Sequence, residues 1–297
     1  LCWLYHEAGI VPKEGGANVT VSEYYQPNSL DEALDVIDEL RSEVLVMGGG
    51  TIVMPLINGG ISLPKNVLGL KNAGLNYTRH ENGYIAIGAA VPLTKMLEYE
   101  AVPMLQKAAK NTAAWSVRNL GTVGGNLFAP PPAGDFAAAL LALDTTVKLA
   151  SKRGERLVPL AEFYTGFLSN VLQDDELVVE LQVPVPTGQT AYIKYGRKDA
   201  NTPSIVTVAV HLLRDGGRVV SARIALNGVG PHPIRAANAE ALLEGNALTP
   251  ATIEKVAEAA AQECEPFTDA VASEWYRRKM TAVYVKRALT ELLEKEE

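Results

Sequence analysis

At 297 residues and 47% hydrophobic, the chain is long enough to bury a full core and to divide into two or three subdomains. Its formal net charge of −7 speaks against nucleic acid, whose phosphates demand a basic face, and no apolar run approaches the ~18 residues a membrane-spanning helix needs. Two distant cysteines and four scattered histidines exclude a disulfide framework, and a zinc or iron–sulfur centre built by this chain alone is not expected.

The opening Leu1-Cys-Trp-Leu-Tyr-His6 has no basic n-region and no long apolar h-region, so it makes a poor signal peptide; residues 1–22 read as an extension of unknown role, and the cysteine usage gives a reducing cytoplasm as the expected setting. Ser29 with Glu32 makes a capping-box pattern, and Leu30, Ala33, Leu34, Ile37 and Leu40 share one helical face as far as Arg41. Val44–Met47 reads as a short buried strand running straight into Gly48-Gly49-Gly50. Thr51–Ile57 follows as a helical stretch that Pro55 is expected to break. Tyr84–Ile87 is a strand, two short helices fit between Pro92 and Trp115, and Trp115 itself is expected in the core.

A second glycine turn, Gly121-Thr-Val-Gly-Gly-Asn126, precedes an Ala/Leu-rich helix from Asp135 to Leu143. Thr145–Leu149 and Glu176–Val183 are strands, and Pro184, Pro186 and Thr187-Gly188 mark a domain boundary, giving 23–186 and 187–297. Beyond it Thr190–Tyr195, Ser204–Leu213 and Arg218–Leu226 are strands, the last two joined by Asp215-Gly-Gly217 as a hairpin. Thr249-Pro250 caps a helix to Glu263, and Ser273–Glu294 is the final helix, with Arg277 and Arg278 expected at its surface.

Chemistry is sought in the glycine turns. Glycine lets the backbone approach a ligand without a Cβ in the way, and successive N–H groups in such a turn form a concavity suited to phosphate. Met47-Gly48-Gly49-Gly50-Thr51 and Gly121-Thr122-Val-Gly124-Gly125-Asn126 both fit, and two such turns can close on one pyrophosphate from two sides. Asp135 could accept from a ribose hydroxyl or simply cap its helix, and Asn126 could reach a phosphate or hold its turn in shape. Neither turn is a Gly-x-Gly-x-x-Gly fingerprint or a Walker loop, so the residues alone reach a dinucleotide or flavin site and no further. No acid, base or metal ligand is nominated.

Arg118-Asn-Leu-Gly-Thr-Val-Gly-Gly-Asn126, with Pro132, Asp135 and Ala139-Leu-Leu-Ala-Leu-Asp144, resembles the signature of the flavin-binding medium subunit of molybdenum hydroxylases, the family of aerobic carbon monoxide dehydrogenase and xanthine dehydrogenase. Tyr25-x-Pro27, Gly49-Gly-Thr51, Asp175-Glu176, Tyr192-x-Lys194-x-x-Arg197 and Trp275-Tyr-Arg-Arg278 extend the similarity over most of the chain. The resemblance implies an α+β fold: a two-subdomain FAD-binding region like that of vanillyl-alcohol oxidase, then a sheet-plus-helices domain.

It implies non-covalent FAD, with the pyrophosphate on the backbone of Met47–Thr51 and Thr122–Asn126, Asp135 near the adenosine half, and Val178 and Lys194 close to the flavin. Ile52 departs from the polar residue usual after Gly-Gly-Thr, so one cofactor contact is expected to be missing. The implied partners are a small subunit with two [2Fe–2S] clusters and a large molybdopterin subunit, in a dimer of heterotrimers. The FAD would pass electrons to an external acceptor. Two alternatives remain at this point: a self-contained FAD oxidase or reductase, and a non-enzymatic module that has lost FAD. Substrate and acceptor stay open.

Overall fold

Three short strands separated by two helices begin the described chain, which the computed structural model covers at residues 21–198 and 201–295. β1 (Glu23–Tyr25), β2 (Val44–Met47) and β3 (Asn66–Gly69) pair in parallel in the order β1-β3-β2. Parallel neighbours need crossovers, and α1 (Leu30–Leu40) and α2 (Val53–Asn58) supply them. Ser29 accepts the Glu32 N–H (3.2 Å), and Ala33, Leu34 and Ile37 face inward. Pro55 does not break α2, because it stands in the first turn, where its N–H would have no intrahelical acceptor. Residues 1–20 of the expected extension lie outside the described residues, and the Ser22 N–H already donates to the Lys65 carbonyl (2.8 Å).

A second, antiparallel sheet follows. It contains β4 (Thr78–His80), β5 (Tyr84–Gly88), β6 (Thr146–Ser151) and β7 (Gly154–Pro159). The ribbon β8 (Tyr164–Gly166) and β9 (Ser169–Asn170) intervenes before β10 (Leu177–Pro184) returns to the centre, in the order β4-β5-β10-β6-β7. Between β5 and β6 run a 3₁₀ turn (Leu93–Glu98), α3 (Pro103–Asn111), α4 (Trp115–Leu120), α5 (Val123–Asn126) and α6 (Asp135–Ala142); α7 (Leu160–Phe163) follows β7. Every residue of α6 is buried, as an Ala/Leu-rich helix with no polar face requires. It starts one residue after Gly134, which is left-handed (φ 87°), so Gly134 and not Asp135 occupies the cap position.

The C-terminal sheet, β11 (Gln189–Gly196), β12 (Ser204–Asp215), β13 (Arg218–Asn227) and β14 (Ile234–Arg235), is antiparallel throughout. Gly216 and Gly217 (φ 55° and 76°) turn β12 into β13, the positive pair that a two-residue hairpin favours. Val206, Val208, Val210 and Leu212 pack with α8 (Ala237–Leu243), α9 (Pro250–Gln262) and α10 (Glu274–Glu294), while Tyr192, Ala209 and Ala225 join the core around α6. Buried on both faces, β12 reads as a nearly continuous apolar run.

Two sequence expectations fail here. Trp115 is 67% exposed, since it opens α4, a helix with no buried residue. Arg277 is fully buried: its guanidinium donates to the carbonyls of Ser204, Ile205 and Gly228 and pairs with Asp269 at 2.8 Å.

Asp175 and Glu176 enter β10 through two-point ion pairs, Arg153 with Asp175 (2.7 Å) and Arg156 with Glu176 (2.7 and 2.8 Å). The arginine hydrogen bonds hold both carboxyls below their ordinary range despite the opposing effect of burial. A carboxyl whose pKa falls on folding stabilises the native state above its unfolded pKa and loses that contribution as pH falls through the folded value. Thermal stability is therefore expected to drop in acid, below the ordinary carboxylate range. Arg153→Met/Arg156→Met should flatten that slope in melts across pH, and an unchanged slope would refute the assignment.

Candidate functional site

The two glycine turns meet. The first leaves the carboxyl end of β2, where ligands of parallel α/β sheets characteristically bind. A Cβ built on Gly49 would lie 1.7 Å from the Leu120 carbonyl oxygen, and one on Gly48 would lie 2.8 Å from Thr122 Oγ1. Gly121 in turn faces Thr51 Oγ1, 3.3 Å from its own Cβ position. Glycine is thus a steric requirement where backbone abuts backbone, which no motif spacing reveals.

Their N–H groups are used differently. Among the described residues, the N–H groups of Gly48, Gly49, Gly50, Thr51 and Ile52 donate to no protein atom, and Gly50 is left-handed (φ 71°). That arrangement is an anion cradle by composition and geometry. The second turn is mostly committed. Val123 and Gly124 donate to the carbonyls of Val91 and Ala89 (2.9 and 3.0 Å), Gly125 to Thr122 Oγ1 (3.0 Å) and Asn126 to the Thr122 carbonyl (3.0 Å). These four N–H groups build α5 and fasten it to the end of β5. Met47 and Ile52 border the open turn, and Met47 Sδ lies 3.3 Å from the Cβ position of Gly50.

Asp135 and Lys194 meet inside the fold. Asp135 is 4% exposed, and its Oδ1 accepts from Ser204 Oγ, Thr207 Oγ1 (2.7 Å) and Asn227 Nδ2 (3.4 Å), while Oδ2 pairs with Lys194 (2.8 Å). A carboxylate so enclosed has its oxygens satisfied by protein donors. Asn126 Oδ1 accepts the Ala137 N–H (3.2 Å), so its side chain holds its turn to α6. Val178 is buried in the core on β10, and its neighbour Val179 accepts the Ala89 N–H (2.9 Å), which backs the second turn.

Sequence reasoning missed Ala89, Val91 and the Leu120 carbonyl. All three act through backbone atoms and leave no compositional signal. Among the described residues no group of three His, Cys, Asp or Glu could hold a metal, and no helix is long and apolar enough to cross a membrane. Cys264 is buried, and desolvation pushes its thiol up to about 11.

A row of open N–H groups thus stands at the end of a parallel sheet, against a second glycine turn and ahead of a sheet-and-helix region. Residues 18–186 match the family model for the FAD binding domain in molybdopterin dehydrogenase, and residues 190–292 match that for the CO dehydrogenase flavoprotein C-terminal domain. The carbon monoxide dehydrogenase medium chain of Hydrogenophaga pseudoflava is 31% identical over 90% of this chain and 95% of that protein. The solved carbon monoxide dehydrogenase of the same organism superposes with a TM-score of 0.88 at 31% identity, covering 93% of this chain and 98% of that one. Quinoline 2-oxidoreductase from Pseudomonas putida 86 gives a TM-score of 0.86 at 26% identity, covering 93% and 98%. The chain belongs to the FAD-binding medium subunits of the molybdenum hydroxylases, and is an oxidoreductase subunit of the α+β flavoprotein fold.

Proposed function

We propose that this chain carries one FAD across the two turns, takes electrons from [2Fe–2S] clusters of a small partner subunit and hands them to an external acceptor. A large molybdopterin subunit would hold the substrate chemistry, the three chains forming a dimer of heterotrimers in the cytoplasm. The observation that carries the reading is the open row of N–H groups from Gly48 to Ile52, closed by Leu120–Thr122. The residues fit a pyrophosphate: donors without partners, a glycine contact that admits no side chain, and a threonine hydroxyl on either turn.

FAD supplies the redox chemistry when bound, and the protein supplies binding and orientation. Met47, Gly48, Gly49, Gly50, Thr51 and Ile52 would face the phosphates, with Gly121 and Thr122 closing the cradle. Gly124, Gly125, Asn126 and Val178 would shape it from behind. Relatives named for carbon monoxide and for quinoline share this fold, which supports placing substrate choice in another chain.

The test is an absorption spectrum of the purified chain before and after heat release of cofactor. Flavin bands at ~450 nm, with FAD and not FMN in the supernatant, are expected. A colourless chain that takes up no added FAD would overturn the reading.

A further inference from the structure

Lys194 grips both ends of the segment that carries the second glycine turn. Its ammonium donates to the Asn111 carbonyl (3.0 Å) and pairs with Asp135 Oδ2 (2.8 Å). Asn111 ends α3 upstream of the turn and Asp135 starts α6 downstream of it. The two charged side chains are only 8% and 5% exposed, so neither charge can fall back on water if the other is removed.

Both ends are then tied onward to the turn itself. Downstream, Asn126 Oδ1 accepts the Ala137 N–H in the first turn of α6 (3.2 Å). Upstream, Arg118 donates to the carbonyls of Thr112 (3.0 Å) and Ala113 (2.7 Å), and the Gly121 N–H donates to the Val117 carbonyl (2.7 Å). The C-terminal sheet holds the same place by further bonds. Ser204, Thr207 and Asn227 donate to the Asp135 carboxylate, Tyr192 OH to its backbone carbonyl (3.2 Å), and Asn227 to the carbonyls of Pro132 and Ala133 (3.2 and 3.0 Å).

We infer that Lys194, with Asp135, is a positioning residue: it staples the two ends of the 111–135 segment to the C-terminal sheet, so that this sheet governs how tightly the glycine turns hold the cofactor. The staple acts through backbone placement and needs no contact with the cofactor. The inference rests on the FAD reading above for its ligand, but its structural half is independent of it.

The test uses the full-length chain in four forms: wild type, Lys194→Met, Asp135→Asn and the double variant. Hydrogen exchange is followed first in cofactor-free protein. Lys194→Met should exchange about tenfold faster or more at the amides of Gly121–Asn126, with the amides of β12 and β13 unchanged. FAD titration, run well below each melting temperature, should give a Kd raised about tenfold or more in either single variant. The double variant should lose no more than the weaker single, because either change alone already opens the staple and the two losses are not additive.

Exchange at the turn that is unchanged in cofactor-free Lys194→Met would overturn the inference. A double variant that binds FAD more weakly than both singles would also overturn it, and would assign the pair to direct cofactor contact. A lowered melting temperature with unaltered Kd would reduce the staple to plain stability and likewise refute it. If the wild type takes up no FAD while the exchange result holds, the FAD reading fails and the staple stands as a fold element alone.

Discussion

A Gly49→Ala chain is expected to fold and to purify without flavin. The added methyl would stand 1.7 Å from the Leu120 oxygen, 2.4 Å from the Leu120 carbonyl carbon and 2.9 Å from Gly121 Cα. All three are backbone atoms, so no rotamer change relieves the clash, and the turns must part by about an ångström or more. Misplacing a preorganised group by about 1 Å can cost about a hundredfold, and a Kd for FAD raised at least that much is expected. The overpacking should also cost about 1–3 kcal/mol of stability, leaving a folded chain by far-UV circular dichroism. Gly48 and Gly125 should be gentler sites, because the nearest obstacle to a new Cβ there is the single side-chain atom Thr122 Oγ1 (2.8 and 2.9 Å), so yielding costs the Thr122 cap of α5 but no backbone displacement. FAD titration of the three alanine variants is the check. Flavin content near wild type in Gly49→Ala would mean that the turns do not act as one cradle.

Arg277→Met should be the most destabilising single change in the C-terminal half. Arg277 has 0% exposure, donates to three backbone carbonyls (3.0, 2.9 and 2.8 Å) and stacks over Phe267 at 4.8 Å. Its partner Asp269 also accepts the Val271 and Ala272 N–H groups (both 2.9 Å), so the pair organises the chain between α9 and α10. Removing one partner of a buried, hydrogen-bonded pair costs about 3–5 kcal/mol, because the other charge and the orphaned carbonyls lose their compensation. Urea unfolding should register a loss of that size with little change in slope. A loss below about 1 kcal/mol would mean that water enters to replace the guanidinium.

Much of the local architecture was readable from short-range signals. Ser29, Thr249 and Ser273 each accept an N–H three residues on, at Glu32, Thr252 and Tyr276, and each begins the helix its sequence pattern announces. Gly216-Gly217 makes the hairpin, and the unbroken Ala/Leu run of α6 is buried all round. β1, β4, β7, β8, β9 and β14 went unread, because their short or largely exposed segments carry no apolar run of the kind that marks the four-residue β2. The resemblance to the flavin subunits was legible for the same reason as the caps: its glycines and threonines lie in two compact segments.

By itself, then, the sequence determined the residue types at both turns, the helix caps, the C-terminal hairpin and the family. Tertiary structure decided which N–H groups stay open, that Trp115 faces out and Arg277 in, and that Asp135 meets Lys194 inside the fold. The reason is chain separation. Asp135 finds its hydroxyl and amide donors 69, 72 and 92 residues away, and Lys194 reaches Asn111 across 83. A cap or a hairpin is settled by neighbours in sequence, whereas the protonic and steric surroundings of a buried side chain are set by whichever distant strand packs against it.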